Sequence, residues 1–162
     1  MTPFERLELP LELVRDLVSD HAGETGAVYI YRGILAVSRD PVVRDFAAHH
    51  LETEEAHLAF FEDWLPAQHR SALLPVWRLS GWLLGALPAL FGERAVFRTI
   101  AAVETFVEQH YDEQIRALAP KPRWASLRAQ LVAFCRDEVA HRDDAADRLS
   151  APPSVIGRAW AS

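Results

Sequence analysis

Four stretches of this chain step through apolar residues every three to four positions, and every one of them carries glutamate on its apolar side. From Leu11 to about Ser38, the residues Leu17, His21, Glu24, Val28, Tyr31 and Leu35 share a helical face. From Pro41 to about Leu65 the same stepping links Phe46, His50, Glu54, His57 and Phe61. A third stretch, Glu93 to Leu118, aligns Phe97, Ile100, Glu104, Val107, Tyr111 and Leu118. The fourth, about Arg123 to Leu149, aligns Leu127, Leu131, Phe134, Glu138, His141, Ala145 and Leu149. Such spacing predicts amphipathic helices that bury one stripe, and Pro41 suits a first helical turn. Four of them in one small chain predict an all-α bundle. No strand pattern or Gly-rich phosphate loop competes.

The acids fall in a two-fold internal repeat. Glu24 stands alone on the first helix and Glu104 on the third, while Glu54-x-x-His57 and Glu138-x-x-His141 occupy the second and fourth. The offset between the lone glutamates is 80 residues and between the paired ones 84. Between the halves runs SALLPVWRLSGWLLGALPALFG, long enough to cross from one end of a bundle to the other.

Burying a carboxylate in an apolar interior is costly unless a positive charge compensates it. No Lys or Arg lies on these stripes near the four glutamates. Two divalent ions would balance the four anions, and residues three apart on a helix, about 5 to 6 Å apart at Cβ, can share one ion. One glutamate from each of two helices plus Glu-x-x-His from each of the other two is the ligand set of ferritin-like dimetal bundles. Rotating the helices to turn the acids outward would expose Phe46, Phe61, Leu131 and Phe134 together, which disfavours a surface role. Carboxylate and imidazole without thiolate suit iron or manganese better than copper, and iron suits oxygen chemistry. The expectation is a single ferritin-like di-iron domain over residues 1–162, with an apolar crossover at 74–92.

Composition narrows the class. Half of the 162 residues are apolar and the net charge is -6 with scattered basic residues, which suits one globular core and argues against a nucleic-acid surface. The lone Cys135 excludes an internal disulfide framework. The opening MTPFERLELP lacks the apolar stretch of a signal peptide, so cytoplasmic synthesis without export is expected.

The segments DHAGETGA (20–27), ETEEAHL (52–58), AVETFVEQHYDEQI (102–115) and RDEVAHRD (136–143), with the LLPVWRLSGWLLGALPALFG insert, resemble the demethoxyubiquinone hydroxylases, or demethoxyubiquinol monooxygenases, of ubiquinone biosynthesis. The resemblance covers nearly the whole chain. It implies two iron ions held by Glu24, Glu54, His57, Glu104, Glu138 and His141, the six residues reached above from periodicity. It implies O2 and two electrons spent on hydroxylating the ring of a polyprenyl demethoxyquinone, with reduced nicotinamide such as NADH a transient donor. It places His110 and Tyr111 near the metal, in electron delivery or quinone contact. Read from the pattern alone, Tyr111 is equally a core aromatic on the seam of Glu104, and His110 its flank. Asp20 and His21 read as residues that support the ligands or pack the helix, Asp137 as a partner for a ligand histidine or a solvated acid, and Glu108 as a surface acid or an added carboxylate. His49, His50, His69 and Cys135 receive no role.

From Leu79 to Gly92 run 14 uncharged residues, too few to span a bilayer. With Trp82 among them and Trp77 just before, they suit a segment lying in a membrane interface, as an insoluble polyprenyl substrate requires, or one packing on the bundle or a dimer partner. The expected partners are therefore the quinone, the cytoplasmic face of the inner membrane as a peripheral site, and a homodimer or ubiquinone-biosynthesis complex. After the fourth helix, through VIGRAWAS (155–162), at most a short extra helix is expected, where the resembled family usually continues with a longer apolar one. The rival from another class is an iron-oxidising or iron-storing ferritin-like protein, or another di-iron oxidase.

Overall fold

The computed structural model of the protein describes residues 9–150. In order these form α1 (Leu11–Val37), α2 (Pro41–Trp64), a 3-10 turn at Ala67–His69, α3 (Leu74–Leu90), α4 (Glu93–Leu118), a second 3-10 turn at Pro122–Trp124, and α5 (Ala125–Ser150). No strand occurs among the described residues, so the fold is all-α, the class of the ferritin-like bundles. The short extra helix expected at the C-terminus would fall in 151–162, outside the described residues. The chain divides into two compact units, one ending at Leu90 and the other starting at Phe91.

In the first unit α1 packs against both α2 and α3. Ser38 leaves the helical region at the end of α1, and Asp40 starts α2 by accepting the backbone N–H groups of Val42 (2.8 Å) and Val43 (3.3 Å). These are donors that the first turn of a helix otherwise leaves unsatisfied. The α2 seam is buried as its spacing predicts, from Phe46 through His50, Glu54 and His57 to Phe61. On α1 the seam runs from Leu17 to Tyr31 and fades at Leu35, which is half-buried.

The apolar insert, which the sequence marks only as a crossover, is one continuous helix, α3. Pro75 sits in the first turn, where no intrahelical donor is needed, and Pro88 removes a bond only near the far end. Its glycines are packing surface. A Cβ on Gly81 would collide with the Gly26 carbonyl oxygen, one on Gly85 with the Ile30 carbonyl oxygen, and one on Gly33 with the Trp82 carbonyl oxygen. The backbones of α1 and α3 therefore touch through small residues four apart on α3, the arrangement that lets two helices approach most closely. The other side of α3 is exposed and apolar, with Val76, Leu79, Leu84, Leu87 and Leu90 all well outside the core. Among the described residues no helix is long and apolar enough to cross a membrane.

In the second unit α4 and α5 form an antiparallel pair. Arg94 Nη1 at the start of α4 donates to the Leu149 carbonyl near the end of α5 (3.2 Å), and Arg128 Nε at the start of α5 donates to the Ile115 carbonyl near the end of α4 (3.2 Å). Gly92, at φ +92°, takes the left-handed conformation that a side chain disfavours just before α4. Phe97, Ile100, Tyr111, Leu127, Leu131 and Phe134 are buried on the two helices, with the Tyr111 and Phe134 rings in contact between them, and Leu118 and Trp124 are buried near the turn.

Candidate metal centre

Each unit carries one copy of the repeated acid pattern. In the first, Glu24 on α1 meets Glu54 and His57 on α2, and one ligand atom from each lies within 4.8 Å of the other two. His57 Nδ1 stands 3.7 Å from Glu24 Oε2. In the second, Glu104 on α4 meets Glu138 and His141 on α5 within the same 4.8 Å limit, with His141 Nδ1 3.7 Å from Glu138 Oε2. All six side chains are at most 3 % exposed. Helical geometry explains each trio: the Glu-x-x-His spacing stacks both groups on one face, and the facing helix adds the lone glutamate at the same level.

The donor set fits a metal ion. Two carboxylates held within 4.8 Å of each other in the interior repel, and each is costly to bury as an anion. A divalent cation relieves both costs. Oxygen and imidazole donors without thiolate are those of iron, manganese or zinc rather than of soft ions.

Around the first trio, Asp20 and His21 are buried, at 4 % and 1 % exposure. His21 Nε2 lies 3.9 Å from Glu62 Oε1, which also accepts from Arg70 Nη1 at 3.0 Å. Burial, and after it the Arg70 charge, pushes the His21 imidazole below its ordinary value, with Glu62 opposing. The native ring is thus neutral. Above pH 6.5, its ordinary value, the ring is neutral whether the chain is folded or unfolded, and its contribution to stability is complete. As the pH falls through 6.5 toward the lower folded value, only the unfolded chain takes up the proton, and stability drops by up to about 1.4 kcal/mol per pH unit. His21→Gln is expected to flatten this part of a plot of urea midpoint against pH. A variant as steep as the wild type would assign the slope to other groups.

In the second unit Tyr111 is buried, its ring 6.3 Å from that of Phe134, and His110 is half-buried with its Nε2 2.9 Å from Gln114 Nε2. Amide donation to that nitrogen places the His110 proton on Nδ1. Tyr111 is thus a buried aromatic on the seam of Glu104, and His110 is oriented by a neighbour one turn on.

Two features escaped the sequence reading. Tyr31 lies seven residues past Glu24, as Tyr111 lies seven past Glu104, and its ring is likewise 6.3 Å from a phenylalanine, Phe46. The equal offset was the available signal. Glu108 pairs with Arg142 across 34 residues of sequence, which no local spacing announces. Asp137 is half-buried. His50 is a core residue, edge-on to Phe46 at 4.4 Å. The Cys135 thiol, pushed up by burial and then by Glu108, Asp112 and Glu138, is held in its unreactive protonated form.

Residues 12–158 match the family model described as ubiquinone biosynthesis protein COQ7. A Rhodospirillum rubrum protein named 3-demethoxyubiquinol 3-hydroxylase is 41 % identical over 80 % of this chain and 61 % of its own length. The human NADPH-dependent 3-demethoxyubiquinone 3-hydroxylase, mitochondrial, is 32 % identical over 76 % of this chain and 59 % of its own. The 5-demethoxyubiquinone hydroxylase, mitochondrial, of Saccharomyces cerevisiae is 32 % identical over 85 % and 67 %. The chain thus spans about three fifths of the length of the first two. With a match over nearly all of its residues, it belongs to the COQ7 family of ubiquinone biosynthesis proteins.

Proposed function

We propose that the chain is a di-iron monooxygenase that hydroxylates the ring of demethoxyubiquinol, or the corresponding quinone, with O2 and two electrons. The observation that carries this reading is the repeated trio, Glu24/Glu54/His57 and Glu104/Glu138/His141, each buried and each drawn within ligand distance of itself. In this reading the chain is a single ferritin-like di-iron domain whose iron ligands are Glu24, Glu54, His57, Glu104, Glu138 and His141. Four carboxylates then balance two ferrous ions, which removes the cost of burying either trio alone.

Bound iron would supply what no side chain here can, reversible one-electron steps and activation of O2. The protein supplies the rest. The carboxylates and imidazoles hold the ions, and the buried aromatic residues one to two turns along the same helices, Tyr31, Phe46, Tyr111 and Phe134, help keep water from the interior. His110, held by Gln114, and Tyr111 are the residues proposed to act in electron delivery or quinone contact. Reduced nicotinamide, NADH or NADPH, is the proposed donor, in keeping with the name of the human relative. The exposed apolar side of α3 supports peripheral attachment to the cytoplasmic face of the inner membrane, where a polyprenyl substrate resides. A homodimer or a biosynthetic complex would form beside that face.

The test is to feed iron-loaded protein with demethoxyubiquinol in lipid vesicles under O2 and weigh the product. One added oxygen per ring is expected. Iron oxidation into a mineral-filled shell, with the quinol unchanged, would point to the storage class instead.

A further inference from the structure

We infer that Arg142 holds Glu108 out of the metal-ligand set, so that this cross-helix ion pair decides how many carboxylates the second trio offers. The inference rests on the metal reading proposed above. Glu108 lies one turn past Glu104 on α4, and Arg142 directly follows His141 on α5. Arg142 Nη1 donates to Glu108 Oε2, while Arg142 Nε and Nη2 donate to Asp143 Oδ1 at 2.9 and 2.8 Å. The guanidinium is therefore gripped from its own helix and reaches across with the nitrogen left over. Both side chains of the cross-helix pair are 29 % exposed, so the tie lies at the edge of the core.

Residues four apart on a helix stand about 5 to 6 Å apart at Cβ, well within the swing of a glutamate. Glu108 without its partner could turn to the ion that Glu104 serves. The Cys135 thiol indicates that the region is shared, since Glu108 and Glu138 both raise it while Arg142 lowers it. A fifth carboxylate would leave two divalent ions with a net negative cluster in the interior and would fill a position that substrate or O2 needs. Arg142 prevents both. A merely structural role predicts something different: a partly exposed ion pair contributes little, and losing either partner should then have the same small effect.

Cobalt(II), whose visible absorption reports coordination number and geometry, is the probe. It is titrated into the full chain, the variants Arg142→Met, Glu108→Gln and Arg142→Lys, and the double variant Arg142→Met/Glu108→Gln. Glu108→Gln and Arg142→Lys are expected to match the wild-type spectrum and affinity. Arg142→Met is expected to alter the band shape and bind cobalt on the order of tenfold more tightly. Adding Glu108→Gln should restore the wild-type spectrum. An Arg142→Met spectrum identical to wild type, or a change that persists in the double variant, overturns the inference. Should Arg142→Met fail to fold, Arg142→Gln goes through the same comparison. Wild-type protein that takes up no cobalt would instead overturn the metal reading itself.

Discussion

Glu54→Ala is expected to strip the protein of iron and reduce quinol hydroxylation to background while leaving the metal-free fold intact or slightly more stable. Glu54 is fully buried, within 4.8 Å of ligand atoms on Glu24 and His57. Without metal, it is a second anion crowded into an apolar interior, and its removal relieves repulsion and desolvation. With metal, it is a ligand and part of the balancing charge. The two states should therefore respond in opposite directions. Saturating the wild type with ferrous ion at 100 times its Kd should stabilise it by about 2.7 kcal/mol, and Glu54→Ala should lose that increment. Glu138→Ala should behave alike. Anaerobic thermal melts with and without ferrous ion, beside iron analysis, read all of this. A variant that keeps both irons and full activity would remove Glu54 from the site.

The second large effect concerns the contact between α1 and α3. Gly85→Ala places a methyl carbon onto the Ile30 carbonyl oxygen, and backbone on both sides leaves nothing soft to yield. The cost should be about 3 kcal/mol, at the upper end of overpacking, because two whole helices must separate to accommodate it. Gly23→Ala is the control. An added Cβ there meets nothing within 4 Å and the residue lies mid-helix, so the substitution should stabilise by roughly 0.5 to 1 kcal/mol. Urea midpoints for the two variants should move in opposite directions. Equal shifts would mean that the glycines of α3 are not a packing surface.

Much of the four ligand-bearing helices was legible because one physical requirement, burying a stripe, writes itself as a period of three to four residues. That period placed Glu24, Glu54, His57, Glu104, Glu138 and His141 on buried faces correctly, and only Leu35 and Leu149 at stripe ends and Val107 in mid-stripe drift to half-burial. The helical state of α3 was not legible. Its glycines read locally as breakers, whereas Gly81 and Gly85 are placed where α1 comes too close for a side chain. The Arg142–Glu108 pair was hidden for a related reason, since its partners are brought together only by the antiparallel packing of α4 and α5. What the sequence does carry is the repetition, including Tyr31 and Tyr111 at the same seven-residue step from a lone glutamate. Repetition of a costly pattern is informative because a single buried acid can be an accident of packing, while two matched sets need a common cause.

The most direct measurement is Mössbauer spectroscopy of protein loaded with ⁵⁷Fe and oxidised in air, together with the iron content per chain. The proposed di-iron centre requires two irons per chain with coupled spins, giving a diamagnetic ferric signal. A single uncoupled ferric ion, or two that behave independently, would contradict the proposed di-iron centre.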